Sequence, residues 1–116
     1  MRANAIVFGW NRSVPGREQE SGRHFEEFVG YLTGLQKSGA IGSFETVFLD
    51  PHGGDLNGFF LIRGTPDQMD ALAASTDWAV HITRGNLHLM NAGVIRAATG
   101  AVVAERMALW NKLTPA

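Results

Sequence analysis

A predicted hairpin near the middle of the chain constrains the fold more than any other feature of the sequence. Residues 41–50 alternate in the manner of a strand, and residues 58–63 form a second, short apolar run. The loop between them is rich in turn formers, because Gly53 and Gly54 can take positive φ and Asn57 can cap a backbone amide. This loop is too long for a two-residue turn, so we predict two adjacent strands joined by a longer connection.

Before the hairpin, the sequence predicts a central strand and a long amphipathic helix. Residues 4–10 carry apolar side chains on both faces of a strand, so this strand should be covered on both sides. A helix should begin near Arg17 or Glu18 and stop at Gly39. Its apolar face is formed by residues that recur at three- and four-residue steps, namely Phe25, Phe28, Val29, Leu32 and Leu35.

After the hairpin, helix caps give the clearest signals. Thr65 is placed to cap a helix in which Gln68 completes a capping box. Ser75 offers a second cap, so this helix should break there, restart and stop at Gly85. Residues 86–96 then alternate and are predicted to form the last strand.

Length and composition exclude several classes of protein. The 116 residues are enough for one core but not for two, and 45% of them are hydrophobic, as in an ordinary globular domain. A net charge of -1 with no basic run argues against a nucleic-acid partner. The absence of cysteine excludes disulfides, thiolate metal sites and a cysteine nucleophile. No apolar stretch approaches the ~20 residues of a membrane span, so we expect no membrane partner and a cytoplasmic location.

The element order βαββαβ predicts the fold class. Such a chain closes as a four-stranded antiparallel sheet with both helices on one face. The strands are apolar on both faces, so the second face of the sheet requires a cover. A final helix, opening at Thr99 and Gly100, carries a wide apolar stripe made of Val102, Val103, Met107, Leu109, Trp110 and Leu113. We predict an α+β, ferredoxin-like single domain spanning residues 1–116, with an extra C-terminal helix. It should form a homodimer that packs sheet on sheet as a dimeric α/β barrel.

Several motifs resemble the YCII-related family, which belongs to the dimeric α/β barrel superfamily. They are Phe28-x-x-Tyr31-Leu32-x-x-Leu35-x-x-x-Gly39, Gly58-Phe59-Phe60-Leu61-Ile62 and Ser75-Thr76-Asp77-Trp78, within a match over about residues 24–95. The family is associated with a histidine and aspartate pair. The resemblance places the aspartate at Asp77, whereas Phe28 occupies the histidine position. His24 lies four residues before Phe28 on the same helical face.

A second resemblance concerns the segment Ser75-Thr76-Asp77-Trp78-Ala79-Val80-His81. It is similar to the histidine-ending segment of antibiotic-biosynthesis-type monooxygenases and related enzymes that work without a metal or on a bound haem substrate. This resemblance implies that Trp78 and His81 line a cleft between helix and sheet. It also implies a third polar group from the first strand, either Asn4 or Asn11.

The four histidines are the remaining candidates for chemistry. His52 should be solvated in the hairpin loop, and His24 should be partly exposed near the start of its helix. His81 and His88 should lie near the seam between helix and sheet, where an imidazole with a shifted pKa can carry a proton at neutral pH. The candidate catalytic residues are therefore His81, Asp77 and His88, and the candidate ligand-binding residues are Trp78, Asn91, Trp10 and His24. His52 has no second ligand at metal-site spacing nearby, and we expect no metal.

Two classes of function fit these observations. The first is a small enzyme that acts without a tightly bound cofactor on a small aromatic or carbonyl compound. The second is a non-catalytic module that binds a small molecule or another protein. Gly53-Gly54 lacks the spacing of a phosphate-binding loop, and no serine shows a nucleophile elbow. A cavity holding two or more of the polar candidates would favour the enzyme, whereas one filled by Phe and Trp side chains would favour the module.

Overall fold

The computed structural model describes residues 1–115 as one α+β unit. Its elements in chain order are β1 (Ala5–Trp10), β2 (Arg12–Ser13), α1 (Glu18–Ser38), β3 (Ser43–Phe48), β4 (Gly58–Arg63), α2 (Pro66–Ala74), α3 (Thr76–His88), β5 (Leu89–Met90), β6 (Gly93–Ala97) and α4 (Ala101–Leu113). Within the described residues, no helix is both long enough and apolar enough to cross a bilayer.

The four longer strands form one antiparallel sheet in the order β3-β4-β1-β6. The central strand is β1, in which Phe8 lies opposite Phe60 on one side and opposite Val94 on the other. The short strands β2 and β5 pair separately, with Ser13 opposite Leu89. The predicted α+β class, the four-stranded antiparallel sheet and the central position of the first strand are confirmed.

The predicted helix signals are also confirmed. Gly39 follows α1 in the left-handed conformation with φ of 80°. Thr65 and Gln68 form a reciprocal capping box at the start of α2, in which the Gln68 amide donates to the Thr65 hydroxyl and the Gln68 side-chain oxygen accepts from the Thr65 amide. Ser75 ends α2, and its hydroxyl accepts from the Trp78 amide at the start of α3.

The last strand, predicted over residues 86–96, starts later than predicted, at Gly93, and the predicted helix stop at Gly85 is wrong. Helix α3 continues through Gly85 to His88, and a turn at Asn91, with φ of 51°, separates the two short strands that follow. Gly85 does not end the helix but allows it to pack closely on the sheet, because a Cβ there would lie 2.9 Å from the Cζ atom of Phe8. The glycine therefore brings α3 against the sheet, and His88 belongs to a helix.

The core lies between one face of the sheet and the first three helices. It consists of Ile6, Phe8, Phe28, Leu32, Ile41, Phe60, Ile62, Met69, Leu72 and Trp78. The opposite face carries the alternate residues Val7 and Leu61 of the inner strands and Ile95 of β6, whose residue surface is 61% exposed. Only Val102 of α4 is buried, and Trp110 on the same helix is 61% exposed. An apolar sheet face and an apolar helix thus remain uncovered in the single chain.

Candidate functional site

A cavity of about 310 Å³ lies between the first half of α1 and one end of the sheet. Its apolar wall consists mainly of aromatic rings, from Phe8, Trp10, Phe25, Phe28, Phe48 and Phe60. Its polar wall consists of Ser13, Glu18, Ser21, His24 and His88. The cavity therefore combines a flat apolar space with a small group of titratable and hydroxyl side chains.

Three imidazoles form a continuous hydrogen-bonded row, here called the histidine chain: His88, His24 and His81. The Nδ1 atom of His24 lies 2.7 Å from Nε2 of His88, and its Nε2 atom lies 3.0 Å from Nδ1 of His81. The rings of His24 and His81 are within 3° of parallel, whereas those of His24 and His88 are nearly perpendicular at 85°. Both ring nitrogens of His24 are therefore occupied by other histidines.

Two serines extend the histidine chain into the cavity. Ser21 Oγ lies 2.7 Å from Nδ1 of His88, and Ser13 Oγ lies 2.7 Å from Ser21 Oγ. Since His24 and His88 use both of their nitrogens inside the row, a ligand in the cavity meets a serine hydroxyl at the end of the row. The hydroxyl is the point where a ligand can exchange a hydrogen bond or a proton with the histidines.

The spacing of these residues along two adjacent helices explains their meeting. His81 and His88 are seven residues apart in α3, which places both on one face two turns apart. Ser21 and His24 are three residues apart in α1, which places them on the facing side of that helix. The single imidazole of His24 fits between the two histidines of α3, so three residues on two helices complete the row.

Burial keeps the histidines neutral near pH 7. Desolvation lowers the pKa of His24 to about 4, and the charge of Arg84 and the two neighbouring imidazoles add to the fall. The pKa values of His81 and His88 are also lowered, in both cases mainly by burial. His24 and His88 are only 3% and 2% exposed, which agrees with desolvation as the main cause.

The far end of the histidine chain reaches the surface. Nε2 of His81 has no hydrogen-bond partner among residues 1–115, and no unpaired polar side-chain atom there is buried, so this nitrogen faces solvent. The ring of Tyr31 covers one side of His81 with 4.4 Å between ring centroids. An ion pair between Arg84 and Glu27 lies beside it, with the arginine lowering and the glutamate raising the pKa of His81.

The described residues do not gather as metal ligands. Within residues 1–115, no group of three or more His, Cys, Asp or Glu side chains is placed to hold a metal ion. The row itself explains this, because His24 points its two nitrogens in different directions, at different histidines.

The structure brings together four of the residues predicted from sequence. His88, His24 and Trp10 line the cavity, and His81 joins them through its bond to His24. The predicted partial exposure of His24 is wrong, because α3 and the aromatic residues of the core cover its helical face. The cavity lies beside α1, whereas the predicted cleft lay beside α3.

The other predicted residues lie outside the cavity. Trp78 is a core residue whose ring packs 5.9 Å from that of Phe28. Asp77 is exposed and acts on His81 only through its charge, and Asn91 forms an exposed turn. The polar groups suggested from the first strand are engaged elsewhere, since Asn4 bonds to Thr99 and Asn11 accepts from Asn57.

Sequence reasoning missed the two serines and three of the aromatic wall residues, Phe8, Phe25 and Phe28. A signal for Ser21 was present in its three-residue spacing from His24 on a predicted helix. Ser13 carried no such signal, because it reaches the site only through the short pairing of β2 with β5.

Comparison of the chain with protein-family models, with curated proteins and with solved structures gave no match in any of the three cases.

Proposed function

We propose that this protein is a small acid–base enzyme that acts on a small aromatic or carbonyl compound without a tightly bound cofactor. The observation that carries the proposal is a set of neutral, mutually bonded histidines ending in a serine hydroxyl at the wall of an aromatic cavity. Neutral imidazoles can accept a proton at pH 7, and the burial of His24 and His88 strengthens their hydrogen bonds.

The dimensions and lining of the cavity favour a planar ligand with one polar substituent. A cavity of about 150 Å³ is enough for benzene, so about 310 Å³ holds one aromatic ring with a substituent. Trp10 and Phe60, 5.5 Å apart between centroids, offer ring faces and edges for stacking. The polar substituent would then point at Ser21, where the hydrogen-bonding groups lie.

The same proposal includes a ferredoxin-like fold that dimerises as an α/β barrel. Support comes from the strand order, in which the second hairpin strand, β4, lies between β3 and the central β1. It also comes from the exposed area, since the chain of 12.6 kDa exposes 7128 Å² against about 6,200 Å² for a compact monomer of that mass. The excess of about 900 Å² is close to the ~800 Å² that each partner buries in a standard interface.

A non-catalytic binding module is the second candidate. The observation that favours it is the aromatic wall, together with the absence of a free imidazole nitrogen on His24 and His88 facing a ligand. In such a module the row of histidines would only fix the cavity shape and satisfy buried polar atoms.

Binding and chemistry can be separated with simple probes. We expect acetophenone and benzamide to shift the NMR signals of Trp10 and His88 before those of the exposed loop residue His52. Gly22→Leu should reduce binding about tenfold or more, because Gly22 lines the cavity. Gly30→Leu is the matched control, since a Cβ meets nothing within 4 Å at either glycine, but Gly30 lies two turns further along α1 and does not line the cavity.

The chemical step is tested by exchange of the acetophenone methyl protons for deuterium in D₂O, followed by NMR. An acid–base enzyme should accelerate this exchange, and Ser21→Ala should remove the acceleration. Binding without any exchange would replace the enzyme with the binding module. Shifts confined to loop residues, or no binding at all, would refute the cavity as the site.

A further inference from the structure

The histidine chain connects two different environments. One end is Ser21 Oγ in the aromatic cavity, and the other end is Nε2 of His81 at the solvent. We propose that the histidine chain is a proton relay through which a ligand bound at Ser21 exchanges a proton with water at His81. The relay rests on the proposed function for its ligand, whereas the ordering of its protons is a property of the free protein.

The hydrogen bonds of His24 allow only two arrangements of protons. A neutral imidazole has one N–H and one acceptor nitrogen. If His24 donates from Nε2 to His81, its Nδ1 must accept from Nε2 of His88. If His24 instead donates from Nδ1, its Nε2 must accept from Nδ1 of His81. In the first arrangement all three histidines carry the proton on Nε2, and in the second all three carry it on Nδ1.

The two arrangements present opposite groups to the cavity. In the Nε2–H arrangement, the Ser21 hydroxyl donates to Nδ1 of His88 and accepts from Ser13, so its oxygen keeps one lone pair that can accept from a ligand. In the Nδ1–H arrangement, His88 and Ser13 both donate to Ser21 Oγ, and the Ser21 hydroxyl is free to donate to a ligand. A ligand that donates therefore favours the first arrangement, and a ligand that accepts favours the second.

Conversion of the first arrangement into the second moves one proton from ligand to solvent. An acidic O–H or C–H of the ligand gives its proton to Ser21 Oγ while the Ser21 proton passes to Nδ1 of His88. The Nε2 proton of His88 passes to Nδ1 of His24, and the Nε2 proton of His24 passes to Nδ1 of His81. The Nε2 proton of His81 leaves to water, so the ligand has lost one proton, water has gained one, and every histidine is neutral again.

Burial explains why a relay suits this site better than a single base. The pKa of His24 is lowered to about 4, so a stored proton on this imidazole would be held weakly. In the relay each histidine gains a proton on one nitrogen as it loses one from the other. A reaction that returns a proton to the ligand also restores the starting arrangement, so the proposed substrates are compounds that tautomerise next to a carbonyl.

The decisive measurement is the tautomer of each histidine, read from ¹⁵N chemical shifts and ring proton correlations in NMR. In the free protein at pH 7, we expect His24, His81 and His88 to be neutral and to share one tautomer or one mixture of the two. Phenol, a donor, should move all three toward Nε2–H, and benzamide, an acceptor, should move all three toward Nδ1–H. Different tautomers within the row, or a charged His24, would overturn the relay even if both probes bind.

A conservative variant tests proton transfer through the histidine chain separately from ligand binding. In His81→Gln the side-chain oxygen can still accept from His24, but the amide cannot pass a proton on. We expect acetophenone to bind with unchanged Kd and to exchange its methyl protons about tenfold or more slowly than with the wild type. His52→Gln is the control and should leave the exchange unchanged. Equal exchange rates in His81→Gln and the wild type would exclude conduction through His81.

The two proposals fail in distinguishable ways. If no probe binds or exchanges, the proposed function fails, and the tautomers of the free protein still decide whether the row is ordered as a unit. If exchange is observed but His81→Gln leaves it unchanged, the enzyme stands and the relay fails.

Discussion

Acid should weaken this protein through the protonation of His24. The folded-state pKa of His24 is about 4 and its unfolded value is near 6.5, so the unfolded chain binds this proton more tightly. The corresponding stability is fully present above pH 6.5 and is lost as the pH falls from 6.5 toward 4. Below pH 4 the imidazole is charged in both states, and His24 causes no further loss.

The size of the effect follows from the pKa difference. Each pH unit inside this window lowers the free energy of unfolding by at most about 1.4 kcal/mol. A change from pH 7.0 to pH 5.0 therefore lowers it by about 2 kcal/mol through His24 alone. Solvent reaches the row at His81, so we expect a net loss of about 1 to 2 kcal/mol. The lowered pKa values of His81 and His88 act in the same direction. The charged groups that face the row come from both helices and are Arg17, Glu20, Glu27, Asp77 and Arg84.

The assay is urea unfolding at pH 7.0 and pH 5.0 at one fixed protein concentration, because the proposed dimerisation would make stability depend on concentration. In the wild type, the free energy of unfolding should differ between the two pH values. In His24→Gln this difference should be smaller by about 1 to 2 kcal/mol, whereas the exposed loop variant His52→Gln should keep it. An NMR titration of His24 itself gives an independent reading. A His24 midpoint near 6.5, or the same pH dependence in His24→Gln and the wild type, would refute the argument.

Three further predictions concern the surfaces and packing around the site. Sedimentation should report a mass about twice 12.6 kDa, and Ile95→Glu on the uncovered sheet face should yield monomer while Gln36→Glu on the exposed side of α1 should not. A wild type that stays monomeric would contradict the barrel. Deletion of residues 101–116 should lower the melting temperature or abolish cooperative unfolding, because each Trp or Leu covered in the proposed dimer would contribute about 1.5 to 3 kcal/mol; unchanged melting would show that α4 is dispensable. Gly85→Ala should lower the free energy of unfolding in urea by about 1 to 3 kcal/mol, since its Cβ would lie 2.9 Å from Phe8. Gly30→Ala, where a Cβ meets no neighbour, should raise it by up to about 1 kcal/mol. A stabilised Gly85→Ala variant would show that α3 can move away from the sheet.

The fold was largely predictable because its signals are local. The capping box at Thr65 and the αL residue Gly39 each mark a helix end through chemistry that lies within a few residues. Gly85 misled the prediction because a glycine gives the same signal whether it ends a helix or lets one approach a sheet closely. Only the position of Phe8 on the central strand distinguishes the two, and that contact joins residues far apart in sequence.

The site was predictable only in part for the same reason. A helix that ends at Gly85 places residue 88 in a strand, and the seven-residue spacing of His81 and His88 indicates a shared face only if both lie in one helix. The resemblance directed attention to Asp77, which lies outside the cavity, and away from Ser21. The spacing of Ser21 and His24 in α1 was visible, but its partner on α3 was not.

The position of His24 ties the chemistry of the site to the packing of the two helices. Within residues 1–115, His24 is the only imidazole that bonds to two others, so its tautomer sets the proton positions at both ends of the row. Its ring is held edge-on to Phe28, with centroids 6.2 Å apart, and Phe28 is part of the core. A shift of α3 relative to α1 would lengthen the 2.7 Å and 3.0 Å bonds unequally and leave a nitrogen of His24 or His88 unpaired, which is costly because both side chains are buried. The same packing that stabilises the core therefore keeps the row connected from the cavity to the surface.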